Sequence, residues 1–191
     1  MIKPKIAVII GTIREGRFGD RPAQWIFELA AARADMTAEI VDLRDYPLPL
    51  FDAPVPPSVE PPKNEVARRL SAKLAEFDGY IFITAEYNHG PAGVLKNALD
   101  YLKSEFAKKP AAFVGYGGVG GARAVEQLRL YCVELRMAPL RDAVHIAMAD
   151  LKALREKDKT LRDFPHLIQL ATTLLDELAW WARVLKGGRQ S

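Results

Sequence analysis

The stretch Lys5-Ile6-Ala7-Val8-Ile9-Ile10-Gly11-Thr12-Ile13-Arg14-Glu15-Gly16-Arg17-Phe18-Gly19-Asp20 decides the fold. The apolar run Lys5–Ile10 is short and ends at glycine, so it reads as a fully buried strand. A helix follows from Asp20 or Arg21 to about Arg33, with Pro22 suited to its first turn. Its apolar stripe is Ala23, Ile26, Phe27 and Ala30, with Trp25 at the flank. A buried strand that passes through a glycine-rich turn into an amphipathic helix is the opening of a βαβ unit.

The same alternation continues along the chain. Thr37–Leu43, Gly79–Thr84, Ala111–Gly115 and Arg141–Ala147 read as further strands. Glu65–Phe77, Ala92–Ser104, Gly121–Leu135 and Phe164–Leu185 carry apolar residues at helical spacing. Strands alternating with helices imply a parallel sheet covered on both faces, joined by right-handed crossovers. The expected architecture is therefore α/β, a three-layer doubly wound fold on a five-stranded parallel sheet. At 191 residues the chain is expected to form a single domain. Seven of its 13 prolines fall in Arg44–Pro62. That connection reads either as a long crossover or as a lip over a site or a subunit contact.

Composition narrows the function. Hydrophobic residues make up 49% and charged residues 27%, as in ordinary globular proteins. No apolar run reaches the roughly 20 residues that span a bilayer, and the N-terminus has no signal-peptide pattern. A lone cysteine, Cys132, fits a reducing cytoplasm, and three histidines remote from it make a zinc site improbable. The pI near 9.0 reflects 27 basic against 24 acidic residues. The densest charge, Lys152–Asp163, mixes signs and reads as a solvated loop or helix face, so neither nucleic acid nor membrane is expected as a partner.

In an open α/β sheet, ligands bind beyond the carboxyl ends of the strands, which directs attention to three loops. Gly11–Asp20 places three glycines, the Thr12 hydroxyl, Arg14 and Arg17 ahead of a helix N-terminus, a setting that favours an anion. Gly11 and Gly16 have Walker A spacing, but Arg17 and Phe18 stand where lysine and a hydroxyl residue are needed. What remains is a metal-free cradle for one phosphate. Thr84–Gly93 offers the Tyr87 ring and the backbone of Glu86, Asn88 and His89 to a planar heterocycle. No carboxylate partner identifies His89 as an acid or base. Gly115–Arg123 satisfies Gly-x-Gly-x-x-Gly formally, but after the fourth strand and without the expected acidic residue; Glu134 lies inside the helix. It suits a glycine wall against a flat ring. Arg123 either forms a structural ion pair or meets a cofactor phosphate. One phosphate cradle and two ring walls at one end of a sheet fit flavin mononucleotide (FMN), which would carry the redox chemistry itself. No serine or cysteine nucleophile with a placed base is evident.

At these residues the sequence resembles the NADPH-dependent FMN reductase family. The resemblance spans about residues 5–145. It rests on Gly11-Thr12-x-Arg14, on Glu86-Tyr87-Asn88-His89-Gly90 followed by Leu95-Lys96-Asn97-Ala98-Leu99-Asp100, and on Gly117-x-x-Gly120-Gly121-Ala122-Arg123. It implies a flavodoxin-like fold and FMN held through its phosphate by Thr12, Arg14, Arg17, Phe18 and Gly19. It implies ring contacts from Glu86, Tyr87 and Asn88, with His89 beside them, and from Tyr116 and Gly117. NADPH or NADH is implied as hydride donor, with quinones, azo compounds, free flavin or metal oxyanions as acceptors in ping-pong turnover. A homodimer or homotetramer is implied, with the 91–104 helix region in the interface. Thr12 replaces the family's usual serine and keeps its hydroxyl. Arg17 and its neighbours stand where a second serine is common, and Ala85 stands where proline is usual. A non-enzymatic FMN-binding redox sensor or electron carrier is the alternative reading of the same residues.

Overall fold

The computed structural model describes residues 3–156 and 159–190. Five parallel strands form the sheet: β1 (Lys5–Ile10), β2 (Thr37–Asp42), β3 (Gly79–Tyr87), β5 (Pro110–Tyr116) and β6 (Ala138–Ile146). Their spatial order is β2-β1-β3-β5-β6, the flavodoxin-like doubly wound order. The order reverses between β1 and β3. A short strand, β4 (Gly90–Pro91), pairs antiparallel with the end of β3, an element not foreseen from periodicity because it has only two residues.

Two helical layers cover the sheet because the central strands are apolar on both faces. Ile6, Val8 and Ile10 pack with Ala23, Ile26 and Ala30 of α1 (Asp20–Ala31) and with Leu167, Ala171, Leu174 and Leu178 of α6 (Pro165–Gln190). On the other face, Ala7, Ile9, Tyr80, Phe82 and Phe113 pack with α2 (Glu65–Ala75), α3 (Gly93–Asp100) and α4 (Ala122–Glu134). Burying a side chain such as Phe82 contributes about 1.5–3 kcal/mol by transfer alone.

The segment expected as a solvated loop or helix face is partly α5 (Met148–Glu156). Lys152 and Arg155 face outward, while Leu151 and Leu154 enter the core. The charged residues dominated the composition of this short helix and masked its apolar pair. Lys157 and Asp158 of that segment lie outside the described residues. The helix expected over Ala92–Ser104 stops at Asp100 and gives way to a turn and the single-turn helix Ser104–Phe106.

The proline-rich connection lies against α3. Asn97 grips it twice, accepting from Phe51 N–H (2.9 Å) and donating to the Pro49 carbonyl (2.7 Å). The Phe51 ring meets the Tyr101 ring edge-on at 5.1 Å. Among the described residues, no helix is long and apolar enough to cross a membrane.

Candidate flavin site

The β1–α1 loop is shaped by close contact. Gly11 N–H donates to the Ile83 carbonyl at 2.9 Å, holding the start of the loop to β3. Arg17 then folds inward. Its guanidinium donates to the Thr12 carbonyl, to Asp20 (Nε–Oδ1 2.8 Å) and to Asp42 (Nη1–Oδ1 2.7 Å). Its side chain is only 2% exposed. Arg44 grips the loop from the other side, donating to the carbonyls of Ile13 (3.4 Å) and Arg14. Arg17 was expected at a phosphate; its side chain instead organises the loop, and its charge is matched by Asp20 and Asp42.

With these carbonyls engaged, the loop's N–H groups remain. Among the described residues, the N–H groups of Ile13, Arg14, Glu15, Gly16, Phe18 and Gly19 have no acceptor in the protein. They precede the N-terminus of α1, whose dipole adds positive potential. Thr12 and Tyr116 place their hydroxyl oxygens 3.4 Å apart at the same point. Burial holds the Tyr116 phenol above its ordinary pKa, so it stays protonated and can donate. A Cβ on Gly19 would come within 2.9 Å of Thr12 Oγ1 and 3.0 Å of the Tyr116 hydroxyl, so only glycine lets the chain pass here. Phe18 closes the corner with its ring 5.2 Å from that of Tyr116, edge to face.

The second loop is a two-residue hairpin between β3 and β4. Asn88 (φ 50°) and His89 (φ 67°) both adopt left-handed conformations, as a type I′ turn requires. Gln127 of α4 fixes the turn by donating to the His89 carbonyl at 2.7 Å. Both tip residues are exposed, and the His89 imidazole has no hydrogen-bond or charge partner among the described residues. Tyr87 is half-buried, with the Arg14 guanidinium 5.7 Å from its ring centroid. That contact links the first two loops.

Glu86 points away from solvent. Its carboxylate accepts from Arg123 Nε (2.6 Å) and from the Arg123 backbone N–H (3.1 Å), capping α4. Burial alone would raise its pKa, but the Arg123 side chain and the helix N–H groups together hold it below the ordinary range. Arg123 is thus a structural partner. The Glu86 side chain positions the third loop and leaves only its backbone for a ligand.

The third loop, Gly117–Gly121, runs from β5 into α4. Gly120 N–H donates to the Gly117 carbonyl at 3.1 Å. Gly121 sits at φ 72°, where a Cβ would lie 2.6 Å from Tyr116 N, so any side chain would displace the wall. His145 of β6 supports the loop from beneath, its Nδ1 3.0 Å from the Gly120 carbonyl.

Asp42, Arg44, Gln127 and His145 escaped sequence reasoning because each acts from another element. Asp42 alone had a signal. It ends β2, pairs in register with Ile10, and is therefore a carboxylate beside the start of the β1–α1 loop.

A doubly wound sheet with a row of N–H donors, free among the described residues, after its first strand, a hairpin at its switch point and a glycine loop after the neighbouring strand has the layout of a mononucleotide-binding α/β protein. The sequence profile of NADPH-dependent FMN reductases matches residues 4–150. An NAD(P)H-dependent FMN reductase of Schizosaccharomyces pombe is 37% identical over 184 residues, covering 88% of this chain and 92% of its own length. A 2-hydroxy-1,4-benzoquinone reductase of a Burkholderia species is 35% identical over 189 residues, 94% and 96% of the two chains. Among solved structures, the NAD(P)H:acceptor oxidoreductase FerB of Paracoccus denitrificans superposes with a TM-score of 0.73 at 20% identity, covering 94% of this chain and 97% of that one. The chain belongs to the NADPH-dependent FMN reductase family. It is an NAD(P)H-dependent flavin oxidoreductase with FMN as cofactor.

Proposed function

We propose that the described site holds FMN with its phosphate in the β1–α1 loop and its ring between the Tyr87 hairpin and the Gly117–Gly121 wall, the whole chain acting as one flavin-binding unit. The observation that carries this reading is the row of loop N–H groups without acceptors among the described residues, beside the Thr12 and Tyr116 hydroxyls. That donor set suits a phosphate monoester and needs no metal. Arg14, exposed at the loop, adds a cation to the phosphate side. The backbones of Glu86, Asn88 and His89 offer polar groups to the ring edge, and Tyr87, Tyr116 and Gly117 border its faces.

Bound FMN supplies two-electron chemistry between NAD(P)H and an acceptor. The protein's task is to hold the ring, leave one face open to both reactants in turn, and shield the other. A single open face gives ping-pong kinetics. Quinones lead the acceptor class, by analogy with the Burkholderia benzoquinone reductase. Azo compounds, free flavin and metal oxyanions are the further candidates. A homodimer or homotetramer through the 91–104 region and a cytoplasmic location complete the reading.

The test is an absorbance spectrum after FMN loading and desalting, followed by anaerobic NADPH. Retained flavin bands that bleach establish cofactor and donor together. Bands that NADPH leaves unbleached would instead favour a sensor or electron carrier.

A further inference from the structure

A groove of about 620 Å³ runs between α1 and the chain that joins α5 to α6. This size falls in the roughly 300–1,000 Å³ range of small-molecule sites. The groove is separate from the ring walls but borders the phosphate loop, since Asp20 and Arg21 at the start of α1 line it. Trp25, Leu154 and Leu161 give it an apolar wall, and Gln24 an amide. The Trp25 indole N–H is buried without an acceptor among the described residues.

Its lining carries three basic and two acidic side chains, a small positive excess. Asp20 shares Arg17 with Asp42, and Glu28 is paired with Arg162 (2.7 Å). Arg21 and Lys159 remain. Among the described residues the Arg21 side chain has no ion pair, and Lys159 has only the Phe164 ring, 5.5 Å away. Two cations without an ion pair among the described residues, beside an indole and two leucines, match a planar heterocycle that carries phosphate.

We propose that this groove binds a phosphorylated adenosine, the far end of a dinucleotide whose other end works at the flavin site. The proposal rests on the flavin-site reading above. Two reactants of that site carry such a group: the adenosine 2′-phosphate of NADPH and the AMP half of FAD bound in place of FMN. Arg21 and Lys159 are the specificity-determining contacts to the phosphate.

Calorimetric titration of the FMN-loaded protein with 2′,5′-ADP tests it. Arg21→Ala and Lys159→Ala should each weaken binding about tenfold, as for loss of one charge-assisted contact. If NADPH is the source, the double variant lowers kcat/KM for NADPH by the same factor or more and leaves NADH nearly unchanged. If FAD is the source, the double variant loses FAD affinity but keeps FMN affinity and both kcat/KM values. No binding of 2′,5′-ADP, binding indifferent to both substitutions, or loss of probe binding with neither dinucleotide affected would overturn the proposal. Failure of the flavin-site reading shows separately, as protein that binds the probe but whose flavin NADPH does not bleach.

Discussion

Arg14 and Arg17 lie three residues apart in one loop and do opposite work. Arg17 is enclosed by two carboxylates and a carbonyl, whereas Arg14 is exposed with its guanidinium above Tyr87. The sequence shows two arginines near a helix start; it does not show Asp42, 25 residues away, which claims one of them. Arg14→Ala should therefore weaken FMN binding by about 1–3 kcal/mol, the range for a charged hydrogen bond, with little change in melting temperature. A fluorescence titration of FMN alongside a thermal melt checks both halves, and unchanged affinity would remove Arg14 from the site. Glu86 yields a pH prediction. Its carboxyl is held below the ordinary value of 4.5, so the stability it contributes is complete above that value. That stability is lost as pH falls through the lower folded pKa. Glu86→Gln should cost about 1–3 kcal/mol at neutral pH. Urea melts should show the gap from the parent protein closing as the solution is acidified below about 4.5. A gap independent of pH would mean that the Arg123 pairing does not stabilise the fold.

At the scale of elements, long periodic segments were legible and short ones were not. The five long strands alternate with helices whose apolar stripes face the sheet, and those stripes are visible as residue spacing. The two-residue β4 has no period to read, and the Asn88-His89 turn lacks the usual glycine in its left-handed positions. Its geometry is enforced by strand pairing and by Gln127, neither of which is local. The glycine wall was legible as composition, but which glycine is indispensable was not. The structure identifies Gly121 by its φ of 72° and the 2.6 Å approach of a hypothetical Cβ to Tyr116 N. Gly121→Ala should destabilise the protein by about 1–3 kcal/mol, the cost of a forced left-handed residue. It should also reduce FMN retention, because relief of the clash moves Tyr116 or the wall. Gly118→Ala is the control, since a Cβ there meets nothing within 4 Å. Equal melting temperatures and equal flavin retention for the two variants would refute this account of the loop.

Across the whole molecule, the two ends of the sheet divide the labour. The carboxyl ends of the strands carry the loops of the proposed flavin site, and the amino ends carry an ionic latch. Asp78, just before β3, accepts from Lys5 N–H (2.9 Å), Lys186 (2.7 Å) and Arg189 (2.8 Å), tying the end of α6 to β1 and β3. Asp78→Asn leaves two cations without their carboxylate. Stability should fall by about 3 kcal/mol, while FMN affinity at the opposite end stays unchanged. Parallel denaturation and FMN titration would separate the two effects. Near the same latch, Lys109 is buried and donates to the Ala75 carbonyl (3.1 Å) and the Tyr80 hydroxyl (3.2 Å). Burial, aided by nearby Arg189, lowers its pKa to about 8. The folded protein therefore releases this proton near pH 8, while the unfolded chain holds it to about 10.5. Stability from this group should rise by about 1 kcal/mol between pH 8 and 9, because the unfolded state binds the extra proton there. Above the ordinary thiol value of 9.0 the buried Cys132, pushed up to about 12, acts in the other direction. The unfolded thiol ionises while the folded one does not, so stability is lost as pH rises further. Guanidinium melts of the parent and Lys109→Met proteins at pH 8 and pH 9 isolate the lysine. The parent should gain stability over that step and the variant should not. A parallel gain in both would show that the buried ammonium is fully compensated where it lies.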